Sequence, residues 1–547
     1  MGRRAVTGLR WLGVLGLTAW LACACAPVDR WDVFDPGFDR SLQGKDCVAL
    51  DAQRFQPEMA DGPQFEIQSV QEPLKVSIED VTLLALQNNQ DLRVQQINPV
   101  IAGTYELIER GVFDPELFAE FGYVEEVASE SSRATGEKFD VESTEVDTVA
   151  GIRQDLPSGT TLEASVEYAR DRSNRAPDQR AARAGLSMTQ ALLQGFGPAV
   201  NLVSIRQAEL DTLASIYELR GFTEALVAET EAAYWKYVLA LQEISIFESS
   251  LAIARQQRDE IEQQIDVGLL PETEGAAARA EVALREQALI DARSLLEERR
   301  LRLLRLINTG QSGHLDNKLE ATSEPMIEPE PLKNQAERLA LAQQSRPDLE
   351  EALLRMRQDR LETIVTRNGL LPKLDVFIQL GRTGYADSLS ESFRELDANT
   401  YDFAAGLRLS RPLGNRAARG RHELAQSTYL QAREAVRNLR QIIRLDVRLA
   451  VNEVERTRQQ ITASRATRRL EEQTARAEKE RFDVGSSTAL LVAQAQRDLL
   501  VSRIAEVRAV INYRIAMVEL YLAEGSLLQR RGIVVGDPPV WRDGDQG

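Results

Sequence analysis

The sequence predicts a mainly α-helical, internally duplicated chain with a β part in each half, whose alternation fits a transmembrane barrel and a half-buried soluble sheet alike. Three observations predict this. The stretch Ile265-Asp266-Val267-Gly268 returns as Phe482-Asp483-Val484-Gly485, each time between long helical patterns. Apolar residues recur at steps of three and four over tens of residues, the seam of a helix that packs on other helices. Period-two alternation appears at matching places in both halves, as strands with one apolar and one polar face require.

Composition narrows the function classes. The 547 residues carry a net charge of -18, which argues against a nucleic-acid binder, since such proteins need clustered cations to displace counterions. Acids dominate from Glu116 to Glu145 and arginines from Arg408 to Arg469; both runs read as solvated surface. At the N-terminus, Arg3, Arg4 and Arg10 precede the apolar run Trp11–Leu21, which ends in Ala22-Cys23-Ala24-Cys25. That is the order of a secretory signal peptide over residues 1–25. A cysteine after a small residue resembles a bacterial lipobox, with Cys25 the preferred acylation site and Cys23 the alternative. Only Cys47 then remains, so no disulfide framework is expected. Residues 26–75 read as an extended tether. No later stretch is apolar over the ~18 residues a spanning helix needs, so if the chain crosses a membrane it must do so with strands.

The first repeat, 76–308, opens with Ser77 and Asp80 as a helix N-terminus, and its helix runs through Leu83, Leu86 and Leu92 toward Gly111. Within the strand region 113–192, Leu117, Ala119, Phe121 and Tyr123 share one face, and Leu162, Ala164, Val166 and Tyr168 repeat the pattern. Gly195 and Pro198 mark the return to a helical period. A long helix then carries Tyr234, Tyr237, Leu241, Ile244, Phe247 and Leu251 along its seam to the turn at Gly268. Glycine suits such a reversal because it takes the left-handed conformation without a Cβ clash. A second helix returns from about Glu274 to Ile307.

A polar connector, 309–331, leads to the second repeat, 332–528, with its strand region at 372–410; 529–547 reads as a tail. Asp348 matches Asp91, and Pro372 matches Pro115, both at an offset of 257. The junction here is Pro412 and Gly414. Gly406 and Gly185 are 221 apart and the turn glycines 217, so the long helices agree in length while the first strand region holds an additional hairpin, roughly 145–168. The sequence leans toward that hairpin projecting from the sheet.

The stretches Leu84-Ala85-Leu86-Gln87-Asn88-Asn89, Arg346-Pro347-Asp348-Leu349, Leu371-Pro372-Lys373-Leu374 and Arg411-Pro412-Leu413-Gly414, with the two turns, resemble the TolC family of outer-membrane efflux and secretion channels over Val76 to Leu528. The resemblance implies a homotrimer with a long antiparallel α-helical barrel and a β-barrel completed by trimerisation. Closure is also a physical need, because lipid offers no partner to an open sheet edge. Four strands per chain, the two repeats' shared pairs, would give twelve in a trimer. The resemblance further implies an outer-membrane location reaching into the periplasm, a periplasmic adaptor (membrane fusion) protein and an inner-membrane transporter of RND or ABC type. No cofactor and no enzyme activity are expected; His314 and His422 stand alone and read as surface residues.

The turns Val267-Gly268 and Val484-Gly485 become the expected periplasmic tips and adaptor contacts. Members of the family close this entrance with acidic rings and polar links. Here Glu274 supplies an acid after the first turn, but Leu491 and Gln494 stand where a carboxylate pair would be expected after the second. Glu274, Leu491 and Gln494 are the candidate constriction, more apolar and less cation-sensitive; alternatively Leu490-Leu491-Val492 merely pack between helices. A soluble periplasmic coiled-coil scaffold is the competing function, and it leaves the duplicated strands unexplained.

Overall fold

The computed structural model describes residues 74–533, except 132–135, 176, 308–313, 326–330, 333, 387 and 398–399. Cys23, Cys25, Cys47, the leader, most of the tether, the tail from 534 and parts of the connector lie outside the described residues.

Each half begins with a helix broken in the middle. Helices α1 (Ile78–Asn88) and α2 (Gln90–Gly111) meet at Asn89. After the first half come α6 (Gln335–Ser345) and α7 (Pro347–Asn368), which meet at Arg346. Asn89 and Arg346 are 257 residues apart and share nearly the same extended backbone, φ -62, ψ 122 and φ -68, ψ 122. The expected continuous helix from Leu83 to Gly111 is therefore interrupted. Asn89 restarts it by accepting the Leu92 N–H at 3.0 Å, while Pro347 sits at the first helical position, where its missing N–H costs nothing. Ser77 and Asp80 form the expected reciprocal cap.

The strands of the two halves form one antiparallel sheet: β2 (Glu116–Ser131), β3 (Lys138–Leu156), β4 (Thr160–Ser173), β5 (Gln179–Ala191), β7 (Lys373–Ala386) and β8 (Asp402–Ser410), paired in that order. The additional hairpin does not project. It contributes to β3 and β4, which are paired on both sides. A second, smaller pairing was not foreseen: β1 (Leu74–Val76) lies parallel to β6 (Leu319–Ala321).

A short turn of helix, α3 (Pro198–Asn201), leads from β5 into α4 (Val203–Asp266), which returns as α5 (Glu272–Ile307). In the second half α8 (Leu389–Arg394) lies between β7 and β8. There α9 (Arg416–Asp483) returns as α10 (Ala489–Ala523), followed by α11 (Leu527–Arg530). At ~1.5 Å per residue, α4 and α9 are each on the order of 100 Å long.

Apolar clusters hold the helices at intervals. Leu251 and Ala254 of α4 meet Val282 and Leu289 of α5, and Val454 and Ile461 of α9 meet Val510, Tyr513 and Leu520 of α10. The largest cluster joins Tyr234, Trp235, Leu303, Leu304, Ile307 and Ile511 to Val76 and Leu319. Buried hydroxyls need partners, and here the Tyr237 hydroxyl donates to the Leu319 carbonyl at 2.7 Å while Tyr234 reaches the Val76 carbonyl at 3.3 Å. The two tyrosines thus pin the β1–β6 pair to the helices. Contrary to the sequence expectation, α4 is long and apolar enough by length and composition to cross a membrane, with 33% of its apolar window buried inside the chain; its buried face packs on α5, α7 and α10.

Candidate functional site

The two turns are the same structure. Val267 and Val484 cap their helices, and Gly268 and Gly485 follow with φ of +73 and +80. The Leu269 N–H bonds the Gln264 carbonyl at 2.8 Å and the Gly268 N–H the Ile265 carbonyl at 2.9 Å. At the second turn the Ser486 N–H bonds Arg481 at 2.8 Å and the Gly485 N–H bonds Phe482 at 2.9 Å. These are the paired bonds of a Schellman reversal, which satisfies the last helical carbonyls. An added Cβ would meet nothing at either glycine, so glycine is required for its dihedral and not for space. Val267 and Val484 are 71% and 79% exposed, two apolar tips without cover in the single chain.

Past the turns the halves differ. Glu274 is half-buried, and its N–H bonds the Pro271 carbonyl at 3.1 Å. Thr488 caps α10, accepting the Leu491 N–H at 3.4 Å. Leu490, Leu491 and Gln494 are exposed while Val492 is buried, so within one chain only Val492 of the three apolar residues packs between helices. The side chains that link the two coils lie deeper. Arg497 of α10 is 3.6 Å from Glu281 of α5, which is also paired with Arg285 at 2.6 Å. Further along, Arg508 of α10 bonds Glu243 of α4 at 2.6 Å. The sequence did not mark these links, although Glu243 stands four residues before the seam residue Phe247.

At the opposite end of the coils the junctions join helices to sheet. Gly195 and Gly197 both have positive φ, and Pro198 starts α3. The Gly195 N–H donates to Asn368 Oδ1 at 2.7 Å, and the Asn201 amide donates to the carbonyls of Gly195 at 2.9 Å and Pro157 at 3.0 Å. At Pro412 and Gly414 the left-handed residue is the next one, Asn415, with φ 43; its amide donates to the Leu370 carbonyl at 3.2 Å. Both junctions are thus tied to the end of α7.

The sheet has two chemically distinct faces. One register row runs Leu117, Ile152, Ala164, Leu186, Leu380 and Phe403 across all six strands. The adjacent row on the other face runs Glu116, Arg153, Glu163, Ser187, Gln379 and Ala404. Two phenyl rings that lie on the polar face are capped by guanidinium groups, Arg153 over Phe118 at 5.1 Å and Arg408 over Phe377 at 5.7 Å. Cation–π stacking suits rings at a watery surface. His422 is half-buried between Thr366 and Gln426 at 3.2 and 3.0 Å; among the described residues, no group of His, Cys, Asp and Glu gathers to hold a metal ion.

Residues 339–526 match a family described as "Outer membrane efflux protein". No curated protein matches the chain. Among solved structures, the Campylobacter jejuni CmeC outer membrane channel is 17% identical with a TM-score of 0.62, over 82% of this chain and 86% of that one. Vibrio cholerae VceC is 16% identical with a TM-score of 0.61, covering 82% and 96%. The open state of the Neisseria gonorrhoeae MtrE channel is 19% identical with a TM-score of 0.59, covering 82% and 89%. The chain shares their fold, helical coils joined to a sheet.

Proposed function

We propose that this chain is the outer-membrane channel of a tripartite efflux or type I secretion system. Three copies close the sheet in the outer membrane and the coils into a duct crossing the periplasm. A periplasmic adaptor grips the tips at Val267-Gly268 and Val484-Gly485, and an RND- or ABC-type transporter supplies the energy. The chain itself conducts passively and performs no catalysis, and Cys25, or alternatively Cys23, carries the lipid anchor.

One observation carries this reading: a six-stranded sheet with an apolar face and a polar face runs directly into helical hairpins on the order of 100 Å long. Strands need only ~9–11 residues to cross a bilayer, and β4, β5 and β7 have 14, 13 and 14. A scaffold without a pore has no use for an exposed apolar belt on such a sheet. Recovery as a heat-modifiable trimer from outer membranes, with ion conduction in planar bilayers, is the expected result; recovery in the soluble periplasmic fraction would reject the channel. At its entrance Glu274, Leu491 and Gln494 form the constriction, with Arg497 and Glu281 holding the coils together behind it. A constriction carrying leucine in place of acid is expected to resist divalent block, measured as conductance with divalent cations on the periplasmic side.

A further inference from the structure

We propose that the inserted pair β3–β4 is barrel wall, so that three copies close a barrel of eighteen strands, six from each. This rests on the channel reading above and adds the width of its pore. Each face of the sheet is continuous through the inserted strands. In the apolar row Ile152 and Ala164 sit between Leu117 and Leu186, and in the polar row Arg153 and Glu163 sit between Glu116 and Ser187. A further polar-face row, Glu120, Val149, Glu167, Arg183 and Thr383, again crosses the insertion. A hairpin projecting into water has no reason to keep Ala150, Ile152, Ala164 and Val166 on the face shared with Leu186 and Leu380.

The turn between β3 and β4 is also built into the junction. Gly159 has φ +82, and a Cβ there would strike the Gly195 carbonyl. The Gly197 N–H donates to the Ser158 carbonyl at 3.1 Å and the Ala191 N–H to the Gly159 carbonyl at 2.9 Å, while Gln190 Nε2 donates to the Ser158 carbonyl at 3.1 Å. The inserted turn therefore sits level with the point where helix becomes strand. The unpaired edges left to the sheet are β2 and β8, and the occupant of each is the opposite edge of a neighbouring copy.

Strands ~4.8 Å apart and tilted ~40° give eighteen a backbone diameter of about 36 Å, against about 24 Å for twelve. Four helices per copy, α2, α4, α7 and α9, adjoin the sheet. Twelve of them at ~9–10 Å enclose a ring of about the wider diameter.

Cysteines added one at a time to the full-length Cys47→Ser protein, reconstituted in vesicles and read against that parent, test this with a membrane-impermeant maleimide. Ile378→Cys and Gln379→Cys report strand β7, which is wall under either count. Ala150→Cys, Val166→Cys and Ser165→Cys report the insertion. The expected result is that Ala150→Cys, Val166→Cys and Ile378→Cys react about tenfold more slowly than Ser165→Cys and Gln379→Cys, because lipid covers one face. Equally fast reaction at Ala150→Cys, Val166→Cys and Ser165→Cys, with the β7 contrast kept, overturns the eighteen-strand barrel and leaves the channel standing. Loss of contrast in β7 as well overturns the channel reading itself.

Discussion

At the scale of single residues, the turn glycines and one buried acid set the clearest expectations. Gly268 and Gly485 hold positive φ in open surroundings, so alanine at either meets only the left-handed penalty, about 1–2 kcal/mol. Gly485→Ala is expected to speed amide exchange of Ser486 about tenfold, read by hydrogen exchange. Glu224 is 2% exposed and accepts the Leu527 N–H at 2.8 Å. Burial nevertheless pushes its carboxyl above the usual carboxylate range, with that hydrogen bond opposing. A raised folded pKa means the native state binds the extra proton, so this contribution is fully present below about pH 4.3, near the unfolded value, and is lost as pH rises through the folded pKa. Glu224→Gln keeps the acceptor and is expected to flatten that fall, seen in Tm against pH. The turns were legible in sequence because a left-handed requirement is local. Arg497 and Glu281 were not, because their approach depends on how two coils pack.

At the scale of elements, the sheet faces and coil contacts matter. Leu380 lies in the apolar row, and Leu380→Arg places a charge against lipid at a cost of about 2–4 kcal/mol near the midplane; the expected outcome is a lower yield of folded trimer, read as heat-modifiable mobility. Arg497→Glu sets like charge against Glu281 across the 3.6 Å contact, and a higher open-channel current in planar bilayers is expected as the coils separate. The offset of 257 made the strand starts legible, since Glu116 and Lys373 keep it; the helix breaks at Asn89 and Arg346 keep it too but were not foreseen, because a one-residue break leaves the helical period intact on either side. The longer strand region was legible as length, but alternation alone fits a wall and a projection equally; only the register and the fit of Gly159 against Gly195 distinguish them. The three-residue strands β1 and β6 were missed because such short segments carry no period, and their anchors, Tyr234 and Tyr237, had already been assigned to a helix seam.

At the scale of the whole molecule, duplication explains the paired coils, and the sheet is where the two repeats become one object. Gly185 of β5 faces Gly381 of β7, although α4, α5, α6 and α7 separate them in the chain. Strands β2 to β5 join by local hairpins, whereas the seam between β5 and β7 requires a closure across nearly 200 residues. Loop-closure entropy is paid before such a contact returns anything. Pulse-labelling exchange during refolding is expected to protect β3 and β4 before β7. A refolding chain then carries a four-strand ribbon with a bare β5 edge until the distant β7 closes on it. That interval is the molecule's window of vulnerability to mispairing, and a chaperone that shields strand edges would act there.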